Sequence, residues 1–125
     1  MNENKKPEPK ELAEKIVKIL DMRKASNIKL LYTEDKTIIA DYFIICAGNS
    51  NTQVKGLCDE VEYKLSLDGI MPSHTEGLDS ASWVLIDYSS VIVHIFNGET
   101  RSFYNLEKLW AEAEEVDISH LLTED

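Results

Sequence analysis

A chain of 125 residues, 43% of them hydrophobic, has the material for one packed domain without disulfide staples. Its 23 acidic residues outweigh 13 basic ones, for a formal net charge of −10. That balance argues against gripping nucleic acid through its phosphates, which needs Lys and Arg to displace counterions, and it suits a partner with a basic surface.

Residues 1–8 (MNENKKPE) read as a flexible leader. Met1 to Lys10 is polar and lacks the apolar stretch of a signal peptide. The longest apolar runs, such as Ile38–Ile39–Ala40 and Val84–Leu85–Ile86, are far too short to span a bilayer. A soluble cytoplasmic protein with no membrane partner is the expectation. A helix is predicted from Pro9, a residue suited to a first helical turn. Leu12, Ile16, Val17, Ile19 and Leu20 then recur at helical spacing as one apolar stripe. Lys18, Arg23 and Lys24 lie towards its C-terminal end, where the helix dipole favours positive charge.

Ile28 to Tyr32 is a short strand candidate, followed by a polar turn from Thr33 to Lys36. Ala40 to Ala47 reads as a buried strand, apolar on both faces in its second half, ending at the turn signal Gly48–Asn49. Ser50-Asn51-Thr52-Gln53 matches a capping box for a second helix. Val54, Leu57, Cys58, Val61 and Leu65 share its apolar face, and Gly69 closes it.

Met71 to Ser82 reads as a flexible loop. Trp83 to Tyr88 and Val91 to Phe96 are strands separated only by Ser89–Ser90, a tight antiparallel hairpin in which serine is poorly suited to positive φ. Asn97–Gly98–Glu99 makes a further turn, Arg101 to Tyr104 extends a strand, and Leu106 to Trp110 starts a short helix. The reading is a single α/β domain over 9–118 with an acidic tail, 119–125. Its mixed sheet is flanked by helices, and the passage from Asp41 to Tyr88 is long enough for a right-handed crossover.

The chemistry on offer is sparse. His74, His94 and His120 are scattered, with no metal-ligand spacing. Cys46 and Cys58 lie in apolar segments without C-x-x-C spacing, so buried, reduced thiols are expected rather than partners for His94 in nucleophilic catalysis. Gly48-Asn49-Ser50 joins a strand to a helix, and helix N-termini bind anions. P-loop and dinucleotide motifs are absent from it. It looks like the strand–Gly–Ser–helix opening of nucleotidyltransferases, which carry two carboxylates one residue apart on the next strand. Leu85–Ile86–Asp87 stands there, with Leu85 in place of the first acid, and one carboxylate cannot assemble a two-metal clamp.

Four runs taken in order are more specific: A-D-Y-F-I-I-C-A-G-N-S-N-T-Q-V-K, E-G-L-D-S-A-S-W-V-L-I-D-Y, V-I-V-H-I-F and R-S-F-Y-N-L-E-K-L-W. Together they resemble the ribosomal silencing factor family, also called Iojap-like proteins, over residues 10–118. The resemblance implies an α/β fold related to nucleotidyltransferases but without their activity, no cofactor, and a homodimer when free. It implies binding to the large ribosomal subunit through one basic ribosomal protein, the fourteenth of the standard series, at the face that meets the small subunit. Joining would be obstructed and translation lowered when nutrients are scarce. A residual nucleotidyltransferase, or a nucleotide-sensing regulator using Gly48 to Ser50, is the competing expectation. The sequence departs from the family pattern at Thr52, where many members have arginine, and at Ser89–Ser90, where a glycine is usual.

The expected partner-binding residues are Trp83, Leu85 and Asp87, which alternation puts on one strand face, with Glu76 from the preceding loop and Tyr88 from the turn. A tryptophan opening a strand after a loop is suited to an interface hot spot. His94 is expected to be a sheet or core histidine, and Trp110 a packing anchor for the last helix.

Overall fold

The structure, a computed structural model, describes residues 8–34, 40–98 and 113–123. Helix α1 spans Pro9–Met22 and buries Leu12, Ala13, Ile16, Val17, Ile19 and Leu20, the stripe the spacing implies. It stops at Lys24, whose φ of 63° lets Ala25 N–H return to Leu20 O and Lys24 N–H to Asp21 O. That double return is a Schellman cap built on a lysine where glycine is commoner.

Strand β1 (Ser26–Tyr32) leads into β2 (Tyr42–Gly48), in which every residue after Tyr42 is buried. Helix α2 (Asn51–Ser66) buries Val54, Leu57, Cys58, Val61 and Leu65. Gly69, at φ 77°, turns the chain so that Ile70 N–H reaches Leu65 O. Then come β3 (His74–Glu76), β4 (Trp83–Asp87), β5 (Val91–Asn97) and β6 (Glu114–Val116). A 3-10 turn over Ser119–Leu121 follows.

The strands form one sheet in the order β3-β4-β5-β2-β1-β6. Only β2 and β5 are parallel, with Ile44 beside Val93 and Ile45 beside His94, and the other neighbours are antiparallel. Helices α1 and α2 share one face, closing a core that includes Leu30, Ile44, Cys46, Val84, Ile86, Val93 and Ile95. On the opposite face Leu31, Ala40, Phe43, Ile45, Ile92 and Phe96 are buried, with Trp83 and Leu85 packed at the margin. The mixed α/β sheet with covering helices is therefore present as expected.

Several details differ from the sequence reading. The loop from Met71 to Ser82 contains β3, paired to β4 with Glu76 opposite Leu85. The crossover expected between Asp41 and Tyr88 does not join neighbouring parallel strands: α2 delivers the chain to the far edge, and β4 returns antiparallel to β5, which separates it from β2. Alternation alone does not reveal which strand a helix skips to. In the segment read as an acidic tail, Leu121 is buried in the helix-side core. Thr123 also donates from both its amide and its hydroxyl to Asp21 Oδ2, at 2.8 and 2.9 Å. The strand expected at Arg101–Tyr104 and the helix with Trp110 lie outside the described residues.

Candidate functional site

Strand β4 separates its residues by parity. Val84 and Ile86 are fully buried beneath the helices, while Trp83, Leu85 and Asp87 are half-buried on the other face. The antiparallel register adds neighbours on both sides. Glu76 lies opposite Leu85 and His74 opposite Asp87 on β3; Phe96, His94 and Ile92 lie opposite Trp83, Leu85 and Asp87 on β5. Glu76, Trp83, Leu85 and Asp87 are thus brought onto one surface.

Tyr88 is not on it. Its ring is 7% exposed within the helix-side core, and its hydroxyl has no hydrogen-bond partner among the described residues. Burial, with Glu62 and Cys58 nearby, pushes its phenol well above the ordinary range. The expectation that Tyr88 joins the face from the turn is corrected by parity: it shares the side of Val84 and Ile86, because β4's alternation continues through it.

The aromatic end of the face is fixed. The Trp83 indole stacks on Phe96 with ring centroids 5.3 Å apart and planes 20° from parallel. Its Nε1–H donates to His94 Nδ1 at 3.1 Å. His94 also lies 5.1 Å from the Phe43 ring, and burial pushes its imidazole down to about 4, so the ring is neutral. The polar end is held by His74, a residue sequence reasoning missed. His74 Nε2 is 2.7 Å from Glu76 Oε2, and its Nδ1 is 3.7 Å from Asp87 Oδ2. One imidazole therefore spaces the two carboxylates. The period-2 pattern of His74-Thr75-Glu76 was the available signal, but three residues are too few to reveal a strand.

The approach to Trp83 is shaped by backbone. Gly77 sits at φ 89°, and a Cβ there would run into the Trp83 carbonyl. Ala81 N–H donates to Gly77 O at 2.9 Å and Asn97 N–H to Ser82 O at 3.0 Å, so the segment expected to be a flexible loop is tied to β5.

The α2 N-terminus is built differently. Ser50 Oγ accepts from Gln53 N–H at 3.1 Å, the expected half of the capping box. Gln53 Oε1 instead accepts from Asn49 N–H, one residue beyond the box position. The Asn49 and Gln53 amides at this turn are thus occupied by the protein's own side chains. Gly48 makes room for Val54, whose Cγ2 would lie 3.1 Å from a Cβ there. Asp87 is remote from this turn: it pairs with Ile92 and so with Phe43, five residues along β2 from Gly48, about 16 Å away. Asp87 also lies on the face away from α2. The parts a nucleotidyltransferase would combine are on different ends and faces of the sheet. Among the described residues no group of three or more His, Cys, Asp or Glu is placed to hold a metal ion. No described helix is long and apolar enough to cross a membrane.

Comparison with known proteins settles the relationship. Residues 6–125 match the family model described as "Ribosomal silencing factor during starvation". The chain belongs to the ribosomal silencing factor family. It is 43% identical over 98 residues to "Ribosomal silencing factor RsfS" of Bacillus subtilis, covering 78% of this chain and 83% of that protein. A crystal structure of a Chromobacterium violaceum protein superposes with a TM-score of 0.81 at 31% identity, covering 90% of this chain and 93% of that one. A more distant relative, 28% identical over 101 residues, is "Mitochondrial assembly of ribosomal large subunit protein 1" of mouse, with 76% of this chain and 43% of that protein covered. The family resemblance drawn from the four sequence runs is borne out. As a ribosomal silencing factor, the chain belongs to a family of regulatory factors.

Proposed function

We propose that this ribosomal silencing factor docks on the large ribosomal subunit through the face of Glu76, Trp83, Leu85 and Asp87, contacting one basic ribosomal protein, the fourteenth of the series. Bound at the intersubunit face, it obstructs joining of the small subunit and lowers translation under nutrient limitation, acting in the cytoplasm by occupancy rather than by catalysis. The observation that carries the reading is the composition of one sheet face: a half-buried indole and leucine flanked by two carboxylates. An apolar anchor with an acidic rim matches a basic protein surface. The overall charge of −10 steers the chain the same way. The mouse relative's name, which speaks of the large subunit, supports the choice of subunit.

Co-sedimentation with purified large subunits tests it. Trp83→Ala should lose roughly thirtyfold in affinity, as for a truncated aromatic anchor. It should also stop blocking subunit joining on sucrose gradients, while circular dichroism shows the fold intact. A folded variant that binds and blocks like the parent rules the surface out. The free protein is proposed to be a homodimer, and a constant monomer mass in sedimentation equilibrium would contradict that. Pyrophosphate release from nucleoside triphosphates with magnesium should not exceed a blank, and turnover lost in Asp87→Ala would restore the enzymatic alternative.

A further inference from the structure

His94 is an unusual residue to find where it lies. It is 4% exposed on β5, between the rings of Phe43 and Phe96 at 5.1 and 6.4 Å. Its Nδ1 accepts the Trp83 indole N–H at 3.1 Å. A neutral imidazole that accepts at Nδ1 carries its proton on Nε2. That Nε2 is buried and has no hydrogen-bond partner among the described residues. A phenylalanine would fill the same aromatic pocket with no buried ring N–H of its own to leave unsatisfied. The polar work His94 performs is therefore the acceptor it offers Trp83, a side chain otherwise only half-buried.

We propose that His94 is a positioning residue for docking: it holds the Trp83 indole in the orientation that the large subunit receives, and it is retained in the apolar layer for that purpose. The inference rests on the docking role of Trp83 argued above. Stacking on Phe96 fixes the plane of the indole, and the bond to His94 fixes which edge points inward. Pre-set side chains bind more tightly because less rotamer freedom is lost on association. Burial keeps the imidazole neutral near pH 7, so Nδ1 has a lone pair with which to accept.

The test uses the full chain, purified large subunits, and 15N NMR of the Trp83 indole N–H, assigned by its disappearance in Trp83→Phe. The parent's indole N–H should be protected from solvent exchange. His94→Phe should lose that protection and roughly tenfold in affinity; His94→Gln, which restores an acceptor, should recover part of both. In a Trp83→Phe background His94→Phe should add no further loss, because the coupled donor is already gone. An unprotected indole in the parent overturns the proposal, as does a folded His94→Phe that loses protection yet binds like the parent. So do losses that add in full in the double variant. Should His94→Phe not fold, a folded His94→Gln decides: retained protection and affinity support the role, and lost protection with parental affinity overturns it. If Trp83→Ala binds like the parent, the docking reading itself fails and takes this one with it. If Trp83→Ala weakens binding and His94→Phe does not, only the positioning role fails.

Discussion

The Asp87 carboxylate accepts the amide of Ser89 at 2.7 Å, and this bond braces a hairpin turn whose serine stands at φ 73°. Ser90 N–H returns to Tyr88 O at 2.9 Å, a tight bend about Ser89 within the two-residue turn that Tyr88 N–H closes on Val91 O. A residue with a β-carbon is strained by about 1 kcal/mol in that conformation. Ser89→Gly should relieve it, less the extra freedom glycine gains in the unfolded chain and the exposed contact of Ser89 with Ser73, for a net gain of about 0.5 kcal/mol. The expected result is a higher urea midpoint with an unchanged slope. A lower midpoint would mean that the contact with Ser73 outweighs the strain.

His94 makes stability pH-dependent in a defined window. Its folded value is pushed down to about 4 from an unfolded value of 6.5. Between those values the unfolded chain binds a proton that the folded chain refuses, so stability rises with pH across the window and levels off above 6.5. Lowering the pH from 7.5 to 5 should cost about 2 kcal/mol from this group alone. Urea midpoints at pH 7.5, 6.5 and 5.5 should fall in the parent and stay nearly level in His94→Phe. Equal slopes in the two would place the pH dependence elsewhere.

Leu121 belongs to the core although it follows the last strand. It is 9% exposed in the cluster with Ile16, Leu20 and Ile118. Leu121→Ala should destabilise by about 2 kcal/mol, the lower end for a buried leucine because the site is peripheral. A thermal midpoint within error of the parent would show that the 3-10 turn contributes nothing to folding.

The long periodic elements were legible in the sequence, and the short ones were not. The stripe from Leu12 to Leu20 and the run from Val54 to Leu65 are long enough for a 3.6-residue period to stand out, and both are helices. His74–Glu76 and Glu114–Val116 are three residues each, and they become strands only because β4 and β1 offer them edges. The grouping of Trp83, Leu85 and Asp87 followed from parity. Placing Glu76 beside Leu85 needed a register that no local pattern states. The pairing of Leu85 with His94 was recoverable: a two-residue turn at Ser89–Ser90 fixes every partner along the hairpin. The part-buried bond from Trp83 to His94 is diagonal to that pairing and needed side-chain geometry.

Tyr88 separates the two faces of β4 in a way that can be measured. It sits on the side of Val84 and Ile86, packed into the helix-side core, while Trp83, Leu85 and Asp87 look the other way. Its hydroxyl is buried without a partner among the described residues, near the Glu62 carboxylate that accepts from Thr75 at 2.6 Å. An unsatisfied buried hydroxyl costs about 1 kcal/mol or more, and a phenyl ring keeps every apolar contact. Tyr88→Phe should therefore raise stability by about 1 kcal/mol and leave affinity for purified large subunits within twofold of the parent. Trp83→Ala, five residues away on the same hairpin arm, should do the reverse: bind poorly at little change in fold. If Tyr88→Phe weakens ribosome binding while its unfolding midpoint holds, the tyrosine hydroxyl takes part in docking, and the division of β4 into a core side and a partner side is wrong.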